Sequence, residues 1–307
     1  MKALTELLGI RIPIVNAPMT PQAGGALARA VSQAGAFGML GFDEDETEPQ
    51  IAEQVAILHQ TPAVPFGIGL VAWVLERSPH LLDMAIAAKP KLISISFGDP
   101  APYAKRVHDA GILLASQVQS RARAQTALDA GADILVAQGT EAGGHTGSSV
   151  GTLPLLQIVL DMTDKPVIAA GGIATGRGLA AVLAAGAAGA WIGTPFLLAQ
   201  EARNTQAARE RIQSSDETQT IYTRVYDRVA GKAWPHEFGG RALRTPFLEQ
   251  WTGREDDLLK NDSARAQFDP KEKIYAGQSV GLLREVRPAA QIVHDIVASM
   301  PVNARFT

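Results

Sequence analysis

The sequence contains no cysteine, which removes disulfides, thiolate metal ligands and a thiol nucleophile, although it says nothing by itself about compartment. Aromatic residues make up only 6% of the 307 residues while 46% are hydrophobic, so any core must be built from aliphatic and alanine side chains packed closely. No run is long and apolar enough to cross a bilayer. The N-terminal stretch MKALTELLGIRIPIV is interrupted by Glu6 and Arg11, and no small-residue cleavage site follows, so it does not read as a secretory signal. A cytoplasmic protein without a membrane partner is the expectation. Net charge is only −3 and no basic cluster stands out, which leaves no electrostatic footprint for nucleic acid. Histidines and carboxylates nowhere take metal-ligand spacing, so no metal site is expected.

What the chain does contain is repetition. Up to about residue 200, short β-type apolar runs alternate with alanine-rich helical stretches, the signature of βαβ units. The runs fall at residues 12–17 (IPIVNA), 36–40 (AFGML), 65–69 (PFGIG), 92–96 (LISIS), 112–116 (ILLAS), 133–137 (DILVA), 167–170 (VIAA) and 190–193 (AWIG). Several are apolar throughout, as expected of a parallel strand covered on both faces. Eight such runs predict a (β/α)8 barrel in preference to an open sheet. Residues 201–285 break the pattern: they hold 28 of the 59 charged residues, and an apolar helical pattern resumes only over 286–300. Residues 1–200 with 286–307 therefore read as the barrel. Residues 201–285 read as an insertion, a lid or pocket subdomain over the C-terminal face where barrel active sites lie.

Two glycine-rich segments carry chemistry. Ala169-Ala170-Gly171-Gly172-Ile173-Ala174-Thr175-Gly176 follows the seventh run and opens a helix, and Gly193-Thr194 ends the eighth. Glycines let backbone amides approach a phosphate, and a helix start adds a positive dipole end. The bland reading, tight turns and nothing more, is weakened because both signals fall in adjacent loops where such barrels commonly bind phosphate. No strand–GxGxxG–helix unit exists to hold a dinucleotide pyrophosphate. After the sixth run comes Gln138-Gly139-Thr140-Glu141-Ala142-Gly143-Gly144-His145-Thr146-Gly147. A histidine in a glycine-rich loop at a barrel mouth can reach a ligand, which makes His145 the catalytic candidate. His59, His80, His108 and His294 lie in or beside helical patterns and read as surface or interlayer residues, and His236 is undecided. Pro18 must end the first strand and leave Met19 in the mouth. Trp73 and Phe97 follow the third and fourth runs, where pocket and core readings are equally open.

Together Asn16-Ala17-Pro18-Met19, Ala142-Gly143-Gly144-His145-Thr146-Gly147, Gly171-Gly172-Ile173, Gly193-Thr194 and Ala276-Gly277-Gln278-Ser279 resemble the nitronate monooxygenase family, formerly called 2-nitropropane dioxygenases. The resemblance implies non-covalent FMN and oxidation of alkyl nitronates, or nitroalkanes, by O2 to carbonyl compounds and nitrite. It would place Ala17, Pro18, Met19, Gln138 and Gln278 near the flavin ring, Gly171, Gly172, Gly193 and Thr194 on its phosphate, and His145 beside the substrate. Two positions depart from the family pattern: Gln117 stands where many relatives have Lys near the flavin, and Gly69 where Asn is often seen. A neutral amide at 117 still donates to the flavin's N1–C2=O edge but stabilises its reduced, anionic form less than an ammonium would. His145 could act protonated, as a donor to the bound anion, or neutral, as a base toward a nitroalkane. An NAD(P)H-dependent quinone or enoyl-thioester reductase on the same scaffold is the alternative activity. A phosphate-ligand binding protein without catalysis is the rival from another class. A homodimer is compatible with this reading.

Overall fold

The computed structural model describes residues 3–302, so residues 1–2 and 303–307 of the expected barrel segment lie outside the described residues. Its strands are β1 (Ile14–Asn16), β2 (Gly38–Gly41), β3 (Phe66–Val71), β4 (Leu92–Ser96), β5 (Leu113–Val118), β6 (Ile134–Gln138), β7 (Gly144–Gly147), β8 (Val167–Ala170), β9 (Gly189–Ile192), β10 (Thr220–Thr223) and β11 (Phe238–Leu243). All eight apolar runs form strands of one parallel sheet in the order β1-β9-β8-β6-β5-β4-β3-β2, surrounded by helices, which is a (β/α)8 barrel.

Their apolar character follows from having two hydrophobic faces to satisfy. Outward-facing Ile14, Ile68, Ile93, Leu114, Leu135 and Ala169 pack against helices, as in Gly25–Gln33 and Thr152–Leu160. Inward-facing Val15, Met39, Leu92, Ile134, Ile168 and Trp191 fill the barrel. Leu4 and Leu8, on the N-terminal helix Leu4–Leu8, join this inner cluster and plug its N-terminal end.

The seam between β1 and β2 is the weak point of the ring, because the two strands share only the bridge Val15–Phe37. Asn16 completes it with its side chain. Fully buried, it accepts the Met39 N–H through Oδ1 at 2.8 Å and donates through Nδ2 to the Met39 carbonyl at 2.8 Å, reproducing one rung of a backbone ladder.

After β9 the chain makes a short 3-10 helix (Thr194–Leu198) and the helix Gln206–Ser214 before entering a second, antiparallel sheet ordered β10-β11-β7. One strand of that sheet, β7, comes from the loop following β6, so the late segment is sewn into the barrel mouth. Its own apolar centre gathers Val225, Tyr226, Ala242, Leu248, Trp251 and Leu258.

Asn16→Leu removes the rung and leaves the Met39 N–H and C=O buried without partners. At about 1–3 kcal/mol for each orphaned group, the variant is expected to lose roughly 2–6 kcal/mol in chemical denaturation. A loss below 0.5 kcal/mol would show that the seam does not depend on this side chain.

Candidate active site

A cavity of about 260 Å³ opens at the C-terminal ends of the strands. Ala17, Pro18 and Met19 after β1, Gly69 in β3, Gln117 in β5, Gln138 in β6, Gly171 and Gly172 after β8, and Gly193 and Thr194 after β9 all line it, together with His145. Gln278 does not. Its side chain is exposed and its N–H donates to the Glu141 carbonyl at 3.0 Å, while its neighbour Ser279 faces the cavity. Gly69 owes its lack of a side chain to Pro18, because a Cβ there would lie 2.5 Å from the Pro18 ring.

The loops after β8 and β9 form a cradle of backbone donors. Gly171 (φ 112°) and Gly172 (φ 72°) lie in the left-handed region that favours glycine. Among the described residues no acceptor pairs with the N–H groups of Gly172, Ile173, Gly193 or Thr194. The helix Gly176–Ala184 follows directly, but its Gly176 and Gly178 amides are already taken by Ser299 Oγ and Thr175 Oγ1, so the loop amides are the ones left for an anion. Thr194 Oγ1 accepts the Gly277 N–H at 2.9 Å, tying the cradle to the returning chain.

The opposite wall is chemically different. His145 lies in β7, facing Gly240 across an antiparallel ladder, and not in the open loop expected from its glycines. Its Nε2 lies 2.9 and 3.0 Å from the two carboxylate oxygens of Asp227, a residue of the helix Val225–Val229 that is only 4% exposed. A carboxylate only accepts, so Nε2 carries a proton; in the neutral imidazole the lone pair is then on Nδ1, which has no partner among the described residues. Tyr275 Oη donates to the same carboxylate at 3.4 Å. Burial, reinforced by the Asp227 charge, pushes the Tyr275 hydroxyl well above the usual phenol range and keeps it a donor. Trp234 stacks on the imidazole with ring centres 3.5 Å apart and planes 7° from parallel. Trp73 and Phe97 meet the edge of Trp234, each at 5.2 Å, which settles them as cavity residues. Phe97 reaches this position through a left-handed backbone (φ 61°), uncommon for a bulky residue and of the kind that collects at functional sites.

The two glutamines differ. Gln138 is committed at both ends, accepting from Gln119 Nε2 at 2.7 Å and donating to the His145 carbonyl at 3.0 Å, so it positions β7. Gln117 lines the cavity with a side-chain amide that has no partner among the described residues. Asp227, Trp234 and Tyr275 were not singled out from sequence: the Asp227 contact spans 82 residues and nothing local marks it.

The nitronate monooxygenase family model matches residues 74–299. The chain belongs to the nitronate monooxygenase family. It is, with that membership, a flavin-dependent oxidoreductase. A Staphylococcus aureus relative described as "Probable nitronate monooxygenase" is 29% identical, with 96% of each chain covered. FabK from Thermotoga maritima superposes with a TM-score of 0.83 at 29% identity, covering 97% of this chain and 96% of that one. The nitroalkane oxidase from Streptomyces ansochromogenes gives 0.79 at 27% identity, covering 97% and 98%. No helix among the described residues is long and apolar enough to cross a membrane.

The tyrosines of the late segment make a pH prediction. Burial raises Tyr222 and Tyr275 and pushes Tyr226 up to about 12. In the unfolded chain all three ionise near pH 10, so above that pH the unfolded state binds fewer protons and stability falls as pH rises. Folding stability is expected to be level in this respect below about pH 10 and to decline between about 10 and 12. Denaturation midpoints across that range, with phenolate absorbance at 295 nm as the second probe, test it; phenolate appearing ahead of unfolding would contradict it.

Proposed function

We propose that the protein oxidises alkyl nitronates, and nitroalkanes through their nitronates, with O2 to carbonyl compounds and nitrite, using FMN. The observation that carries the reading is the His145–Asp227 pair facing, across one cavity, a glycine cradle with free amides. The cradle fits one terminal phosphate, with Gly171, Gly172, Gly193 and Thr194 as its holders, while Ala17, Pro18 and Met19 line the place for the ring. The free amide of Gln117 suits the ring's polar edge. Bound there, flavin supplies the electron sink and the route to dioxygen.

The protein's own part is orientation and proton transfer. A nitroalkane brings its α-carbon to His145 Nδ1, which takes the proton and leaves the electron pair delocalised over the nitronate. The imidazolium formed is stabilised through Nε2–H by Asp227, whose charge Tyr275 also holds by hydrogen bonding. A preformed nitronate skips that step and needs only to be held. Trp73 and Phe97 make an apolar wall that excludes water and suits an alkyl group. Residues 201–285 serve as the lid subdomain that brings Asp227, Trp234 and Tyr275 to the mouth.

Two measurements test this. The purified protein is expected to be yellow and to release FMN, not FAD, on denaturation; FAD, or no flavin after reconstitution, overturns the cradle assignment. His145→Ala is expected to keep FMN, because the cradle lies on other loops, and to lose roughly 10²-fold or more in nitrite release from a neutral nitroalkane. Its loss with the preformed nitronate is smaller, and Asp227→Asn follows the same ranking. Equal losses with both substrates would make His145 a binding group, and near-native rates would remove it from the reaction. Rapid anaerobic reduction of the flavin by NADH with no nitrite from nitronates would favour the reductase.

A further inference from the structure

We propose that Trp234 is a positioning residue for His145, carried on a strap, residues 230–236, that is latched across the cavity mouth by Lys232. This rests on the reading of His145 as the base, whereas the strap is held by contacts that do not depend on it.

The strap leaves the helix Val225–Val229 at Ala230 and Gly231 (φ 66°), is pinned there by the Lys232 N–H to the Asp227 carbonyl at 2.9 Å, and runs without regular structure to β11. One end therefore belongs to the sheet hung on the loop after β6. Lys232 Nζ reaches Glu44 Oε1 at 3.2 Å and Asp45 Oδ1 at 2.7 Å, both in the loop after β2. In the ring of eight barrel strands β2 and β6 stand four places apart, on opposite sides. The strap thus spans the opening, and Asp43, Asp45, Lys232 and Trp234 all border the cavity. Glu44 is itself held by Arg77 at 2.9 Å, which fixes the far anchor.

Trp234 lies on the inner side of this span. One face covers the imidazole, and its edges meet Trp73 and Phe97, so the indole cannot turn away without the strap moving. The stack limits the imidazole to rotation in its own plane, and the Asp227 bond then removes that rotation. Ring-plane control by Trp234 and in-plane control by Asp227 together aim Nδ1 at one point. The anchor is of another kind. Asp45 is 67% exposed at its side chain, so its half of the anchor is weak and screened by salt, and the Lys232–Glu44 half, at 24% and 20% exposed, is still within reach of water. The latch is therefore releasable, and a substrate with a bulky substituent needs it released, whereas a small one fits beneath it.

The test uses the flavin-loaded protein. A parallel indole 3.5 Å away places the His145 ring protons in its shielding cone, so wild-type protein is expected to show an upfield histidine resonance that vanishes in His145→Ala. Trp234→Leu should abolish the upfield shift and cut turnover of a small nitroalkane by roughly tenfold or more with KM little changed, while Trp234→Phe retains most of both. Lys232→Met, or high salt on the wild type, should move the resonance partway. Either should also raise kcat/KM for a bulky nitroalkane relative to a small one by about two- to fivefold, the worth of an exposed ion pair. An unshifted resonance in wild type, or one indifferent to Trp234→Leu, overturns the positioning role. Lys232→Met that changes neither resonance nor substrate ratio overturns the latch. A shift that behaves as expected while His145→Ala keeps full nitroalkane activity would leave the stack standing and sink the catalytic reading.

Discussion

The pairing of β7 with β11 is the constraint on which the site depends. β7 belongs to the loop after β6, and β11 arrives some ninety residues later; their antiparallel register sets His145 opposite Gly240. Gly240 is bare for a reason, since any side chain there would collide with the ring of Tyr275. The ladder therefore fixes the imidazole, and the gap left by Gly240 admits the phenol that completes the hydrogen bonding of Asp227. A histidine on an unpaired glycine loop would have no such fixed neighbours. Arg241, buried in the same strand, ties the ladder back to the barrel by donating to the Thr140 carbonyl at 2.7 Å.

The cavity has two halves built by different means. One half is backbone, supplied by glycine turns at the ends of β8 and β9, and asks little of side chains. The other half is side chains brought largely by the late segment around a buried carboxylate, and a carboxylate in such a place needs every bond it can make. Asp227 has His145 and Tyr275, and the surrounding rings keep water from competing. Because the halves come from separate parts of the chain, a change of side chain in one leaves the backbone of the other in place.

The barrel was legible in sequence because its signals are local: an apolar run of four to six residues, a glycine after it, an alanine-rich helix. The glycine cradle was legible for the same reason. Asp227 was not, because it is one acid among many in a segment rich in both charges, and only tertiary folding distinguishes it. Trp234 and Tyr275 carry no periodicity to announce them. β7 reads as a loop since Gly-His-Thr-Gly has weak intrinsic strand character, and only its partner makes it a strand. Asn16 belonged to a recognised motif, yet its service as a substitute ladder rung appears only when Met39 is seen beside it. Gln278 shows the converse: the motif marks the right turn of chain, but the neighbouring Ser279 is the one turned inward.

The inward side chains that fill the barrel, capped below by Leu4 and Leu8, make the cavity a cul-de-sac. Water driven out by an incoming ligand must leave past that ligand, and a product must retreat along the path by which the next substrate arrives. Traffic at such a dead end runs in single file. How long a spent product lingers at the threshold can then set the pace of the whole cycle, whatever the speed of the chemistry within.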